Sequence, residues 1–105
     1  MYYKGGHKYV GEWKNGLRDG KGIYYYNNGD RYEGEYKKGK AEGKGIFYYN
    51  KGDRYEGDEK NGRRKGKGAY YYHNGDCKIG NWQDDKKIGT FAYLTKNGEV
   101  KAKNY

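Results

Sequence analysis

Apolar and polar residues alternate along most of the chain, and turn residues interrupt the alternation at regular intervals. In residues 20–26 glycine and tyrosine share one parity, and after the turn residues 27–29 the same alternation resumes in residues 32–36. Alternation with period two on both sides of a glycine-containing turn is typical of a β-hairpin. The pattern therefore predicts an all-β chain built from hairpins.

The register of this hairpin depends on the length of its loop, because a one-residue slip turns every side chain to the other face. A two-residue turn would pair Tyr25 with Tyr32. A three-residue loop over residues 27–29 instead pairs Tyr24 with Tyr32 and sets two glycines side by side. We predict the three-residue loop, because it places the tyrosines on one face, where a neighbouring ring can lie on bare backbone.

The hairpin pattern recurs with a period of 23 residues. Gly29-Asp-Arg-Tyr-Glu-Gly34 returns as Gly52-Asp-Arg-Tyr-Glu-Gly57, without insertion or deletion. Such self-similarity is the signature of a repeat array. We predict ten strands in an elongated ribbon about 45 Å long. The chain would be a single domain, 1–105, divided into a partial unit 1–19, complete units 20–42, 43–65 and 66–88, and a degenerate cap 89–105.

Three residues depart from the repeating pattern. Glu59 stands where an aromatic residue is expected, Lys78 replaces the tyrosine of earlier units, and Phe91 replaces a glycine. A divergent last unit is common in repeat arrays, whose ends need a cap.

Composition alone would indicate a disordered chain. Leu, Ile, Val and Phe total only 10 residues, and the net charge is +9. The 16 Tyr and 2 Trp residues change this picture, because each buried ring removes on the order of 150–250 Å² from water. We therefore expect a thin sheet whose rings cover its own backbone rather than a thick core.

The repeating stretch Gly20-x-Gly-x-Tyr-x-Tyr, followed by Gly29-Asp-x-Tyr-x-Gly-x-Tyr-x-x-Gly39, resembles the MORN (membrane occupation and recognition nexus) repeat. The resemblance covers essentially the whole chain. It implies an elongated, single-layer twisted antiparallel sheet of consecutive hairpins with an aromatic-lined groove. It also implies a scaffold or adaptor in cytoskeletal, ciliary or membrane-contact assemblies, without catalysis of its own.

We interpret the aromatic face as both the core of the fold and a groove for a protein partner, either a peptide or a helix. A single-layer sheet cannot cover both faces of its own rings. The candidate groove residues are Tyr24, Tyr26, Tyr32, Tyr36, Tyr49, Tyr55, Tyr70, Tyr72 and Trp82.

Positive charge is concentrated in four segments that we predict to be long connections along one edge: 14–19, 37–42, 60–65 and 83–88. Together they carry 11 Lys and Arg residues against 4 Asp and Glu residues. Such an edge would attract acidic peptides or anionic lipids, although a solvated edge that only maintains solubility is an equal alternative. The predicted basic rim comprises Lys37, Lys38, Lys40, Lys60, Arg63, Arg64, Lys65 and Lys67.

Three further binding modes follow from the pattern. Peripheral binding to acidic phospholipid through the basic rim is the alternative function. End-to-end self-association is a further possibility, because terminal hairpins expose unpaired backbone. Nucleic acid is a weak candidate, because the basic clusters lie in loops and charge alternates along the strands.

Catalysis, metals and cofactors find little support in the sequence. The chain has no serine, and the only Cys–His combination, Cys77 with His73, lacks a third orienting group. The turn residues Asp30, Asp53 and Asp76 would lie about 10 Å apart, too far to share a metal ion. We predict no enzyme activity, no metal site and no cofactor.

A single cysteine and no apolar run long enough to span a membrane favour a cytoplasmic protein. With the family resemblance, we expect this protein to associate with the cytoskeleton or with membranes.

Overall fold

The computed structural model describes residues 1–105 and contains nine strands and no helix. No segment therefore qualifies as a membrane-spanning helix. The strands alternate between seven and nine residues until the last, which has five. They are β1 (Lys8–Lys14), β2 (Leu17–Tyr25), β3 (Arg31–Lys37), β4 (Lys40–Tyr48), β5 (Arg54–Lys60), β6 (Arg63–Tyr71), β7 (Cys77–Gln83), β8 (Lys86–Leu94) and β9 (Val100–Asn104).

All nine strands form one open antiparallel sheet in which the spatial order equals the chain order. The molecule measures 46 × 24 × 19 Å, so the predicted ribbon and its length are confirmed. The predicted tenth strand is reduced to a single bridge between Tyr2 and Lys8. At the other end β9 is exposed along its whole length.

The three-residue loop is confirmed in the first complete hairpin. Tyr24 pairs with Tyr32 and Gly22 with Gly34. The amide of Tyr26 donates to the carbonyl of Asp30 at 2.9 Å, which leaves residues 27–29 as the loop. Gly29 has a φ of 96°, the left-handed conformation that glycine adopts without steric cost.

The predicted long connections at the opposite edge were wrong. The strands there are joined by two-residue turns, such as Asn15-Gly16 and Asn61-Gly62, in which both residues have positive φ. Positive φ at both central positions is the type I′ hairpin turn, which Asn-Gly favours because its twist matches that of the strands. The residues assigned to connections therefore belong mostly to strand ends.

Each hairpin that closes with a two-residue turn also contains a β-bulge, in which one strand carries two more residues than its partner. Between the pairs Gly11–Gly22 and Trp13–Arg18, β2 contributes three residues, 19–21, where β1 contributes only Glu12. Gly20, within the bulge, has a φ of 89°. The same shift recurs in each later hairpin that closes with a two-residue turn.

Aspartates connect successive three-residue loops along the other edge. Asp30 accepts a hydrogen bond from the amide of Asn50 at 2.7 Å, and Asp76 accepts one from Lys96 at 2.9 Å. Asp53 is buried and accepts from the Tyr70 hydroxyl at 2.7 Å and from the His73 amide at 2.8 Å. Burial alone would raise the pKa of the Asp53 carboxyl, but these hydrogen bonds outweigh it and lower the pKa to about 2.

Candidate binding face

The aromatic face is built on pairs of glycines that sit side by side on neighbouring strands. The Tyr55 ring covers Gly57 and Gly68, and a Cβ placed on Gly68 would lie 2.1 Å from the Tyr55 hydroxyl. Tyr32 and Tyr9 cover equivalent glycine pairs one and two units earlier, respectively. All three rings are at least 96% buried, so they form the core of this single-layer sheet.

Lys78 and Phe91 compensate for each other in the last glycine pair. Lys78 occupies the position of the covering tyrosine, and Phe91 occupies the position of the second glycine. The Phe91 ring lies on Gly80 and is completely buried, so the ring is supplied from the adjacent strand. Phenylalanine also avoids the cost of the Tyr32 and Tyr55 hydroxyls, which are buried without a hydrogen-bond partner.

Edge-to-face contacts join these rings into a row, which we call the inner row. Tyr9 makes edge-to-face contacts with Trp13 and Tyr36, and Tyr36 makes one with Tyr32, with ring centroids 5.0–5.7 Å apart. The row resumes with contacts of the same kind between Tyr55, Trp82, Phe91 and Tyr105. Between its halves stands Glu59, so the core divides into two clusters at that residue.

A second set of rings, the outer row, runs without interruption from Tyr3 to Tyr72. Neighbouring centroids in this row lie 4.6–5.7 Å apart. Most of its members are half-buried, so part of each ring faces solvent. The outer row consists of Tyr3, Tyr24, Tyr26, Phe47, Tyr49, Tyr70 and Tyr72.

The structure divides the nine candidate groove residues by accessibility. Five are buried beneath their neighbours: Tyr32, Tyr36, Tyr55, Tyr70 and Trp82. Four are half-buried and open to a ligand: Tyr24, Tyr26, Tyr49 and Tyr72. Phe47 is half-buried in the same row and packs against both core clusters, so it belongs with the accessible rings.

Cations of the chain lie on these rings at regular positions. The Arg18 guanidinium is 5.3 Å from the Tyr36 ring, and the Arg64 guanidinium is 4.4 Å from the Trp82 ring. The Lys78 ammonium lies 4.8 Å from the Tyr70 ring and is buried. Burial, with the positive charge of Lys87 nearby, lowers the pKa of Lys78 to about 8.

Of the eight predicted rim residues, six are exposed in the two-residue turns or within three residues of them: Lys37, Lys38, Lys40, Lys60, Arg63 and Lys65. Arg64 turns inward to the rings and forms an ion pair of 3.4 Å with Asp85. Lys67 lies in the middle of β6 and pairs with Asn81, away from the edge. Lys40, Lys60, Arg63 and Lys65 line a concavity of about 380 Å³ together with Asn61 and Asp84.

The candidate nucleophile pair is not assembled. The His73 imidazole lies 3.2 Å from a carboxylate oxygen of Asp53, and no hydrogen bond joins it to Cys77. Cys77 is buried.

The repeat geometry is matched by a comparison with known families. The MORN repeat family model matches residues 9–31, 32–54 and 55–77, three consecutive repeats of the period seen in the structure. The chain belongs to the MORN repeat family. MORN repeats are non-catalytic modules that generally mediate interactions with proteins or membranes. A search of curated proteins found no match to this MORN array.

Two features of the site escaped the sequence analysis. Lys78 and Phe91 were treated there as two unrelated deviations from the repeat. The pairing of the glycines in the neighbouring strands connects the two positions, because Phe91 supplies the ring that is missing at Lys78. Arg18 and Arg64 were assigned to connections, but the type I′ turns place them on strands, from which they reach the rings. The Asn-Gly dipeptides at residues 15–16 and 61–62 were the available signal.

Proposed function

We propose that this MORN array is a non-catalytic scaffold that binds a segment of a partner protein along the outer row. The observation that carries the proposal is the continuous row of rings, most of them half-buried, on one face of a single-layer sheet. Buried aromatic anchors dominate the energy of many protein interfaces. The basic rim lies along one edge of this face, where it would attract and orient an acidic segment.

The half-buried rings, rather than the buried ones, should carry the binding energy. Replacing Tyr26 and Tyr49 with Thr should weaken binding of peptides selected on the wild-type protein from a random displayed library by about tenfold or more, since each anchor ring contributes more than 1 kcal/mol. The array itself places Thr95 in this position of its last unit, so threonine fits the repeat. Isothermal titration calorimetry would provide the affinities.

A matched control removes two tyrosines from the opposite face, Tyr48 and Tyr71, which lie under Arg31 and Arg54. The Tyr48→Thr/Tyr71→Thr variant should bind the selected peptides as the wild type does. Equal affinity of the Tyr26/Tyr49 variant, with an unchanged circular dichroism spectrum, would exclude the aromatic face as the binding site.

Peripheral membrane binding is a second candidate, favoured by the concavity that four basic residues line at the rim. Replacing Lys60, Arg63 and Lys65 with Glu should reduce co-sedimentation with phosphatidylserine vesicles by more than about tenfold at physiological salt, because each juxtaposed cation contributes about 1 kcal/mol. The control reverses three exposed charges away from this edge, Lys21, Lys44 and Lys67, since the structure places Lys67 in the middle of β6 and not at the predicted rim.

Equal losses in both triple variants would mean that net charge alone drives vesicle binding, which contradicts a role for the rim. No binding of the wild type above the level of neutral vesicles would leave the protein scaffold as the function of the array.

A further inference from the structure

Every unit of the array has a position from which a cation can reach the inner row. The residue 18 positions further along the chain supplies the ring. Arg18 lies over Tyr36, Arg64 over Trp82 and Lys87 over Tyr105, with the cation 4.4–5.3 Å from the ring centroid. In three of the four units, a cation of the chain itself therefore occupies this position over the ring.

The remaining unit has lost both partners. Ala41 stands where the other units have Arg or Lys, and Glu59 stands where they have a ring. Ala41 and Glu59 line one groove of about 330 Å³, whose walls include the rings of Tyr26, Tyr32 and Phe47. Space that a guanidinium fills elsewhere is open here, and a carboxylate takes the place of the ring.

Glu59 is only 9% exposed and forms no ion pair. Its cross-strand neighbour is Arg64, but that guanidinium is directed to Trp82 and Asp85. A buried carboxylate without a partner is costly, whereas one paired with a guanidinium gains two parallel hydrogen bonds. The groove thus combines aromatic walls with an unpaired negative charge, a combination suited to a cation.

We propose that the groove between Ala41 and Glu59 binds an arginine side chain of the partner segment, in the position that Arg18 and Arg64 occupy in their own units. We assign arginine rather than lysine for two reasons. At the equivalent positions the array places the guanidinium groups of Arg18 and Arg64 over rings of the inner row. A flat guanidinium can also stack on a ring while it pairs with a carboxylate. This assignment rests on the proposed function. It adds one requirement to the acidic segment that the rim attracts, namely an arginine that reaches the groove.

Other charged groups surround the site and bear on its occupancy. Arg18 and Lys40 line the same groove, but Arg18 is held by a hydrogen bond of 2.6 Å to the carbonyl of Gly39 and by its own rings. Arg64 lowers and Asp85 raises the pKa of Glu59, and the charge of Glu59 in turn raises the pKa values of Tyr26, Tyr32, Tyr49 and Tyr55. Burial is the main cause of the raised pKa of Glu59, and no cation forms an ion pair with its carboxylate.

The test uses N-acetyl-arginine N-methylamide as a probe and follows the amide resonances of Ala41, Asn61 and Gly62 by NMR. We expect saturable shifts in the wild type with a millimolar dissociation constant, the range for a single side chain. The neutral isostere, N-acetyl-citrulline N-methylamide, should bind at least about tenfold more weakly, because it cannot pair with the carboxylate. Binding should strengthen between pH 6 and pH 8 as Glu59 loses its proton.

Two variants locate the probe. Glu59→Gln should abolish the difference between the arginine and citrulline probes. Ala41→Arg should block the groove with the chain's own guanidinium, so that neither probe shifts the amides of Asn61 and Gly62. Equal binding of the two probes to the wild type, or undiminished binding to Ala41→Arg, would overturn the proposal. Tighter binding of N-acetyl-lysine N-methylamide than of the arginine probe would overturn the assignment to arginine.

The outcome is independent of the test of the aromatic face. If the probe fails while Tyr26→Thr/Tyr49→Thr still loses the selected peptides, the groove at Glu59 is not a cation site but the aromatic face keeps its function. If the probe binds while those peptides are unaffected by the tyrosine changes, the proposed function fails and the cation site stands by itself.

Discussion

Replacing Lys78 with Tyr and Phe91 with Gly together should leave the array folded with a stability close to that of the wild type, although each change alone is destabilising. Phe91→Gly removes a completely buried ring from Gly80 and should cost about 4 kcal/mol. Lys78→Tyr directs a second ring to a site that Phe91 already fills and should cost about 1–3 kcal/mol by overpacking. In the double variant the new tyrosine can lie on two glycines, as Tyr32 and Tyr55 do.

Urea unfolding of the four proteins would measure this coupling, which we expect to reach about 5–7 kcal/mol, because the double variant avoids the costs of both single changes. A suitable control is Lys78→Met combined with Phe91→Gly, because methionine removes the charge without supplying a ring to cover Gly80. That combination should remain as unstable as Phe91→Gly. Additive effects in the Tyr/Gly pair would mean that the two departures from the repeat are unrelated.

Replacing Glu59 with Gln should stabilise the protein in a pH-dependent way. Burial raises the pKa of Glu59 from its ordinary value of 4.5 to about 7, and the negative charge of Asp85 adds to the effect. Between these two values the folded protein binds more protons than the unfolded chain, so the wild type loses stability as pH rises from 4.5 to 7. The loss should be about 3 kcal/mol, and Glu59→Gln should not show it.

The measurement is urea unfolding at pH 4.5 and pH 8, where the difference between variant and wild type should be small at the lower pH and largest at the higher. Glu59→Tyr should stabilise the protein further, because its ring would join Tyr32 to Tyr55 and close the inner row. Glu33→Gln, on a carboxylate paired with Arg31 on the opposite face, is the control and should change stability by less than about 1 kcal/mol. A stability difference for Glu59→Gln that does not change with pH would show that the carboxylate is well solvated in the folded state.

The predicted instability at Glu59 and the proposed arginine site have the same physical cause. An unpaired carboxylate among rings is costly to the free protein, and a cation from a partner would remove that cost. If Glu59→Gln stabilises the protein but weakens the arginine probe, the residue sacrifices stability for recognition. A stability–function exchange of this kind is typical of binding sites.

Much of the fold could be predicted from the sequence because each determinant is local. The period of 23 residues determined the number of hairpins, and the alternation of tyrosine and glycine determined which side chains share a face. The pairing of Tyr24 with Tyr32 followed from one choice of loop length, since a slip by one residue would have buried the polar face. In a sheet whose neighbours in space are neighbours in sequence, short-range pattern is nearly sufficient.

The main error of the sequence-based prediction was to place long connections where the structure has type I′ turns. Residues 14–19 and their equivalents seemed long enough to be connections, because the bulge at Gly20 hides the pairing of the strands around it. At the bulge one strand carries two more residues than its partner, so the pairing beyond it cannot be counted from the pairing before it. Only the paired backbone shows that Arg18 and Arg64 lie on strands facing the rings.

The array, the family and the aromatic face of this MORN protein could all be predicted from the chain's pattern, because glycine and tyrosine recur at regular positions. The tertiary structure decided which rings are buried and which are half-open, and it showed that Phe91 replaces the ring missing at Lys78. It also decided that Glu59 and Ala41 line one groove while Arg64 points elsewhere. These relations depend on side-chain direction across three adjacent strands, which a pattern along one strand does not contain.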